Sequence, residues 1–300
     1  MPEIRPIANL TDKKLLQLEK KAADIRIDLM KMLENAGSGH SAGPLDLADI
    51  FTALYFHILE HNPKKPDWEL RDRLLMSCGH NVPIRYATMA HAGYFPKKEL
   101  MTLRKLGSRL QGHPEITHLP GLENTSGPLG DGSPQSAGLA YIGLQEESPW
   151  HVYCILSDGE LDAGITWEAA MFAAKYKLYN LTWIIDRNNI QIDGNTEDIM
   201  PLEPLHDKFK AFNFEVIEVD GHNIREIIDA CALAKTIHSP VAIIAHTIPG
   251  RGVDYMEKDF RWHGVPPGKG PADKVKQDEQ LKQALKSIRT MHGKIISEME

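Results

Sequence analysis

The segment His151–Gly194 constrains the fold of this chain more than any other. Val152–Leu156 is a short apolar, β-branched run closed by Ser157-Asp158-Gly159, which predicts a buried strand ending in a turn. Ile165–Lys175 carries helical spacing, with Ile165, Ala169, Phe172 and Ala173 on one stripe. Leu181–Ile185 is a second apolar run. Strand, helix and strand make a βαβ unit, whose right-handed crossover leaves the strands parallel. Both strands then end at one edge of the sheet. Asp158 follows the first and Asn188 the second, so both face the crevice where open α/β sheets bind ligands. A carboxylate, an amide oxygen and a backbone carbonyl from the turn after Asn188 form part of an all-oxygen cage, which suits Mg²⁺ or Ca²⁺. Gly159 allows a phosphate group close to the backbone, and the helix start near Ile165 favours anions. Taken alone, Asp-Gly also reads as an ordinary turn whose Asp caps the next helix.

Asp158 and Asn188 are 30 positions apart, and the second ends in Asn-Asn-Ile. This resembles the thiamine-diphosphate motif, with Ser157 where that motif opens on glycine. The intervening W-E-A-A-M-F-A-A-K-Y-K-L-Y-N-L and the closing I-Q-I-D-G resemble transketolase in particular. The resemblance implies that Asp158, Asn188 and the carbonyl of Ile190 are metal ligands, for Mg²⁺ or Ca²⁺, and that Gly159 lies against the diphosphate.

Other segments carry the same resemblance in order. Asp12–Asn35 has the spacing of a long amphipathic helix on Leu15, Leu18, Ala22, Ile25, Leu29 and Met32. After it, A-G-S-G-H-S-A-G-P-L-D is similar to the family's S-G-H-P-G and contains His40, with Ser41 in place of proline. A helix is expected from about Leu45. Arg73–Ser77 predicts a strand, followed by Cys78-Gly79-His80; the family histidine there helps bind the diphosphate. A helix is expected over Tyr86–Gly93. Leu106–Pro134 holds six glycines and four prolines, so little regular structure is expected there. A loop this long is usually functional or disordered. Gln111–Glu115 reads Q-G-H-P-E, as in transketolases, and supplies His113. Asn124–Gly132 resembles T-G-P-L-G-Q-G, whose backbone approaches the thiamine ring; the resemblance implies Gly127, Pro128 and Leu129 at the cofactor, with Asp131 where the family has Gln. His246–Gly264 resembles the family's segment ending in W-H-G, so His263 is assigned to the diphosphate and substrate. Standing alone, His40, His80 and His263 would each read as turn or loop residues.

The remaining elements repeat the β/α alternation. Gln135–Leu144 predicts a helix, Val216–Val219 a strand, Asn223–His238 a helix, Val241–Ala245 a strand and Lys274–Met291 a final helix. The expected fold is a three-layer α/β/α sandwich with a mainly parallel sheet. It is expected as a single domain over 1–300, with a helical extension at about 272–300.

A formal net charge of −7 argues against nucleic acid or anionic membranes as partners. Cys78, Cys154 and Cys231 are far apart and form no C-x-x-C, so neither a disulfide framework nor a zinc site is expected. No secretory leader or membrane-length apolar run is present in the sequence, which leads to the expectation of a cytoplasmic protein.

By resemblance, the reaction is reversible transfer of a two-carbon ketol unit between sugar phosphates, with thiamine diphosphate and Mg²⁺ as cofactors. His40, His80, His113 and His263 are the candidates for binding substrate oxygens or moving protons. Q-G-H-P-E favours transketolase over the related synthases of deoxyxylulose phosphate or dihydroxyacetone. A non-catalytic regulatory subunit is the alternative from another class. The family's D-G-E-L-x-E-G has Ala163 here in place of its second Glu, which puts coupling between paired sites in question. Only 36 residues follow W-H-G. The expectation is therefore a split enzyme, a heterotetramer with a second subunit that carries the pyrimidine domain and its activating glutamate.

Overall fold

A computed structural model describes residues 5–297. The central sheet is built from five strands: β1 (Arg73–Met76), β2 (Val152–Ser157), β3 (Leu181–Arg187), β6 (Glu215–Asp220) and β7 (Val241–His246). Their order across the sheet is β1-β2-β3-β7-β6, and every pairing is parallel. A small antiparallel ladder, β4 (Ile190–Gln191) with β5 (Gly194–Asn195), follows β3 directly. β2 and β3 are in register, with Ser157 opposite Asp186, so the turns after them start at the same level.

The strands are apolar on both faces because both are covered. Tyr153, Ile155, Ile184, Ile243 and Ala245 point into one core, and Val152, Cys154, Leu156, Trp183, Ile185 and Ile244 into the other. The period of two sends alternate residues to opposite sides. The first core is closed by α1 (Asp12–Ala36), α2 (Ala42–Asp46), α3 (Ala48–Ala53), α4 (Val82–Ala92), α9 (Ile224–Ala234) and α10 (Gln280–Ser297). The second is closed by α5 (Gly132–Gln145), α6 (Gly164–Lys175) and α8 (Leu205–Ala211). Short α7 (Thr196–Ile199) stands at the end of the β4–β5 ladder. The molecule is a three-layer α/β/α sandwich.

Several boundaries differ from expectation for local reasons. The helix expected from Leu45 is broken at Leu47, and its continuation widens into a π turn at Leu54–Ile58. α4 starts at Val82 rather than Tyr86, because Pro83 is favourable in a first turn. α9 starts from Asn223, whose side chain accepts from the backbone N–H of Arg225 and Glu226, and it ends at Ala234, short of His238. The last helix begins at Gln280, not Lys274. The Gln280 amide donates to the carbonyls of Pro271 and Val275 and accepts from Gly268 N–H, which holds the preceding segment in a non-helical path. α10 packs on α1, with Ala284 and Ile288 buried in the first core. The end of the expected extension, residues 298–300, lies outside the described residues. Among the described residues no helix is long and apolar enough to cross a membrane.

Candidate functional site

The loops after β1, β2 and β3, together with the segments 38–41, 127–130 and 260–264, meet at the C-terminal edge of the sheet. They enclose a cleft of about 260 Å³ lined by His40, His80, Asn81, Gly127, Leu129, Ser157, Gly159, Glu160, Asn188, Ile190, Gln191, Ile192 and His263.

Asp158 is fully buried just behind Gly159. Its Oδ1 accepts from Gly159 N–H at 2.7 Å. Its Oδ2 accepts from Asn189 N–H at 2.8 Å and from Arg187 Nη1 at 3.0 Å. Burial pushes the carboxyl up to about 6 despite the guanidinium and backbone donors that oppose the rise. Asn188 is turned by its neighbours. Its Nδ2 donates to Asp46 at 2.9 Å and to Asp186 at 3.2 Å, while Oδ1 accepts from Ile190 N–H at 3.0 Å. Asp46 also accepts from Gly250 N–H, and Asp186 from the Thr247 hydroxyl. Burial pushes both carboxyls up, and the Asp186 charge raises Asp46 further. Two acidic oxygens fix the NH₂ side of Asn188, and its amide oxygen, with one lone pair taken by Ile190 N–H, keeps a second for a cation.

Among the described residues no cluster of three His, Cys, Asp or Glu side chains could hold a metal. What the cleft edge offers is the Asp158 carboxylate, the Asn188 amide oxygen and the backbone at Ile190. A divalent cation here needs further oxygens from a phosphate ligand and water, which is the habit of Mg²⁺.

Three histidines crowd the cleft. The ring centroids of His40 and His80 are 4.8 Å apart, those of His80 and His263 are 5.3 Å, and those of His40 and His263 are 5.4 Å. Burial pulls His40 down to about 3 and His263 to about 4, and it holds His80 well below the usual range. Burial thus favours the neutral form of all three rings. His40 Nδ1, His80 Nε2 and His263 Nδ1 are buried without a protein partner, as are Asn81 Oδ1 and Gln191 Nε2. Orphaned polar atoms converging on one cleft call for a polar ligand, and a diphosphate fits the neutral N–H donors and Gly159.

His113 stands apart from this trio. It is exposed beside Gly127, with ring carbons 3.8 Å from where a Cβ on Gly127 would lie. Pro128 and Leu129 are exposed at the rim. The long 106–131 segment lacks helix and strand but is pinned. Asn124 bridges the backbone of Met76, and Leu110, Leu119 and Leu122 are buried.

Sequence reasoning passed over several residues here. Glu160, buried, accepts from Ser157 N–H, Gly130 N–H and the Ser77 hydroxyl, and so ties the ends of β1 and β2 to the 127–130 loop. Burial pushes it up to about 7. Its place two residues after Asp158 was a usable signal. Asp46, Asp186 and Arg187 carried none. Arg187 joins Asp158 to Thr196, Glu197 and Glu203. Asp162 is exposed and feels Lys208 and Glu197, while Ala163 packs against Gly130.

A parallel α/β/α domain with an anion-ready, cation-ready cleft at the strand ends belongs to the ligand-binding open-sheet α/β proteins. The family described as "Transketolase, thiamine diphosphate binding domain" matches residues 18–286. The chain is 39% identical over 251 residues to a 6-deoxy-6-sulfo-D-fructose transketolase subunit of Clostridium sp., covering 83% of this chain and 91% of that one. It is also 39% identical to a subunit of the apulose-4-phosphate transketolase of Phocaeicola vulgatus, over 83% and 89% of the two chains. The crystal structure of transketolase from Campylobacter jejuni superposes with a TM-score of 0.79 at 31% identity, covering 96% of this chain and 48% of that one. The chain belongs to the transketolase thiamine-diphosphate-binding family.

Proposed function

We propose that the chain is the diphosphate-binding subunit of a split transketolase. It moves a two-carbon ketol unit from a ketose to an aldose, each ending in an anionic group. The observation that carries this reading is the convergence of Gly159, Asn188 and three unpaired neutral histidines on one cleft in a member of this family. Two relatives that match nearly full length are themselves called subunits, and their names specify a sulfonated and a phosphorylated sugar.

Thiamine diphosphate with Mg²⁺ supplies the carbanion chemistry. Asp158, Asn188 and the Ile190 carbonyl hold the cation, and a bound cation stabilises the ionised form of Asp158 against its burial. Gly159, His80 and His263 take the diphosphate. Gly127, Pro128 and Leu129 present backbone and an apolar side chain to the ring system. His40, His113 and His263 orient sugar hydroxyls and relay protons, which neutral imidazoles can do in either direction. The pyrimidine-binding surface and its activating glutamate come from a second subunit. Leu129 and Ile192 line the cleft yet remain exposed, and Ile199 and Met200, just after the β4–β5 ladder, are exposed as well. Covering such a rim is what an obligate partner does. Cys78, Cys154 and Cys231 are free and buried, which suits a reducing, cytoplasmic setting.

The test is reconstitution. The purified chain with thiamine diphosphate and Mg²⁺ is expected to show no ketol transfer, and to gain it when a co-purifying pyrimidine-domain subunit is added. Full activity from the chain alone would overturn the reading.

A further inference from the structure

One group of buried polar side chains near the cleft has no part in the chemistry above. His222 follows β6, and its side chain is 9% exposed. Nδ1 lies 3.0 Å from Asp49 Oδ2. Nε2 accepts from the backbone N–H of Ile248 at 2.8 Å. A backbone N–H can only donate, so Nε2 carries no hydrogen; Nδ1 carries it and donates to Asp49. Asp49 is itself fixed. Arg26 of α1 grips both its oxygens, Nη1 to Oδ1 at 3.0 Å and Nη2 to Oδ2 at 2.6 Å. Such a fork on a carboxylate sets direction as well as energy. The imidazole is thus anchored to α1 and α3 and presents its one acceptor to the loop after β7.

That loop, residues 247–250, holds the acid pair behind Asn188. The sheet order β3-β7-β6 sets the turns after these strands side by side. Thr247 Oγ1 donates to Asp186 Oδ1 at 2.5 Å, and Gly250 N–H to Asp46 Oδ1 at 2.7 Å. Both acids accept from the Asn188 amide. Ile248 N–H is the donor between these two grips, and Pro249 has none to offer. The approach of the His222 turn is tight. A Cβ on Gly221 would lie 2.4 Å from Thr247 Cγ2 and 3.1 Å from His246 O, and Gly221 N–H donates to His246 O at 2.8 Å. Glycine is what lets the 221–222 turn close on the loop. Without His222 the part-buried Ile248 N–H would lose its acceptor, and the loop would gain by turning it toward water.

We propose that His222, braced by Asp49 and Arg26, is a positioning residue for the cation site. It locks the 247–250 loop, the loop locks Asp46 and Asp186, and these hold the Asn188 amide oxygen toward the cation. His222 is not among the residues that line the cleft, so its effect passes through Asn188. The proposal deepens the reading of Asp158, Asn188 and Ile190 as cation ligands and rests on it.

Two measurements test it. The first is backbone amide exchange in the full chain without a cation. His222→Leu should speed exchange at Ile248 and also at Ile190, whose N–H donates to Asn188 Oδ1. His222→Gln, which keeps an acceptor for Ile248, should restore most of the protection at both. Faster exchange at Ile248 with Ile190 unchanged would make His222 a local support and overturn the proposal; so would a glutamine variant as open as the leucine one. If the leucine variant does not fold, His222→Asn carries the test, because it keeps a donor for Asp49 and is too short to reach Ile248. The second is thiamine-diphosphate binding by calorimetry over a range of Mg²⁺ concentrations, in the enzyme assembled with its partner subunit. His222→Leu should raise the half-saturating Mg²⁺ by about 10- to 100-fold, the scale of losing a group that orients a metal ligand. Thr247→Val, which removes the hydroxyl from Asp186, should raise it likewise. The double variant should be little worse than either single one, because both act through Asp186. An unchanged Mg²⁺ requirement, or losses that add in full, would overturn the proposal. A wild type that binds the cofactor tightly without a divalent cation would remove the cation reading and this proposal with it. A wild type that needs Mg²⁺, beside variants that need no more of it, would leave that reading standing and sink the role of His222 alone.

Discussion

Asp158 shows how much a single position can carry at this site. Its Oδ2 is committed to Arg187 and Asn189, and Oδ1 accepts only from Gly159 N–H, so one oxygen retains a lone pair for a cation. Asp158→Ala should remove the Mg²⁺ dependence of thiamine-diphosphate binding and weaken it by more than roughly 100-fold by calorimetry. An unchanged isotherm would show that the cation is held elsewhere. Glu160 gives a pH prediction with a defined sign. Its folded value of about 7 lies above the ordinary 4.5, so the native state binds more protons across that window. Stability therefore falls as pH rises from about 4.5 to 7, by on the order of 3 kcal/mol for this group. Glu160→Gln loses an acceptor and should be less stable than the wild type at pH 5 in the metal-free chain. The gap should narrow by pH 8, because the variant escapes the ionisation penalty; parallel denaturation curves at both pH values would refute this. At this scale Asp158 and Asn188 were legible because their spacing follows from one βαβ unit. Asp46 was not, since it meets Asn188 across 142 positions of sequence.

The βαβ unit and the long irregular loop are the elements that make the site. Ser157 stands opposite Asp186, so the two turns after β2 and β3 share a level by strand register alone. The 106–131 loop is held by buried leucines and by Asn124 rather than by regular hydrogen bonds, and it leaves His113 exposed at the rim. His113→Ala should lower turnover of the assembled enzyme by about 10²-fold. It should leave cofactor affinity intact and the melting temperature within about 2 °C, because exposed substitutions rarely matter to stability. A variant that melts well below the wild type would make the histidine structural. Ala163 sits where α6 begins, its Cβ 2.9 Å from the place a Cβ on Gly130 would occupy, and it is only partly buried. Ala163→Glu therefore has room to project outward. It is expected to change the cooperativity of cofactor binding in the assembled enzyme, and an identical binding curve would remove Ala163 from any coupling between sites. The loop's irregularity was readable from its glycines and prolines, but its path was not, because leucines far from the site hold it down.

Across the whole molecule, two apolar cores on either side of a five-stranded parallel sheet fix the cleft at one edge, and the apolar rim there leads to the reconstitution test above. If the rim is a partner surface, Ile192→Glu should weaken association at least about tenfold while leaving the lone chain's melting temperature unchanged, as measured by sedimentation; undiminished association would relocate the interface. The sequence by itself determined the sandwich, because alternating β and α runs with strands apolar on both faces admit few other arrangements. It also determined which short motifs reach the strand ends, because parallel strands must all finish on one side. Tertiary structure alone decided what those motifs touch. It set the acid pair behind Asn188, the Glu160 clip on the 127–130 loop, the break at Leu47 and the start of α10 at Gln280. Each depends on a contact between distant segments, whose partner is chosen by packing and desolvation rather than by any local pattern.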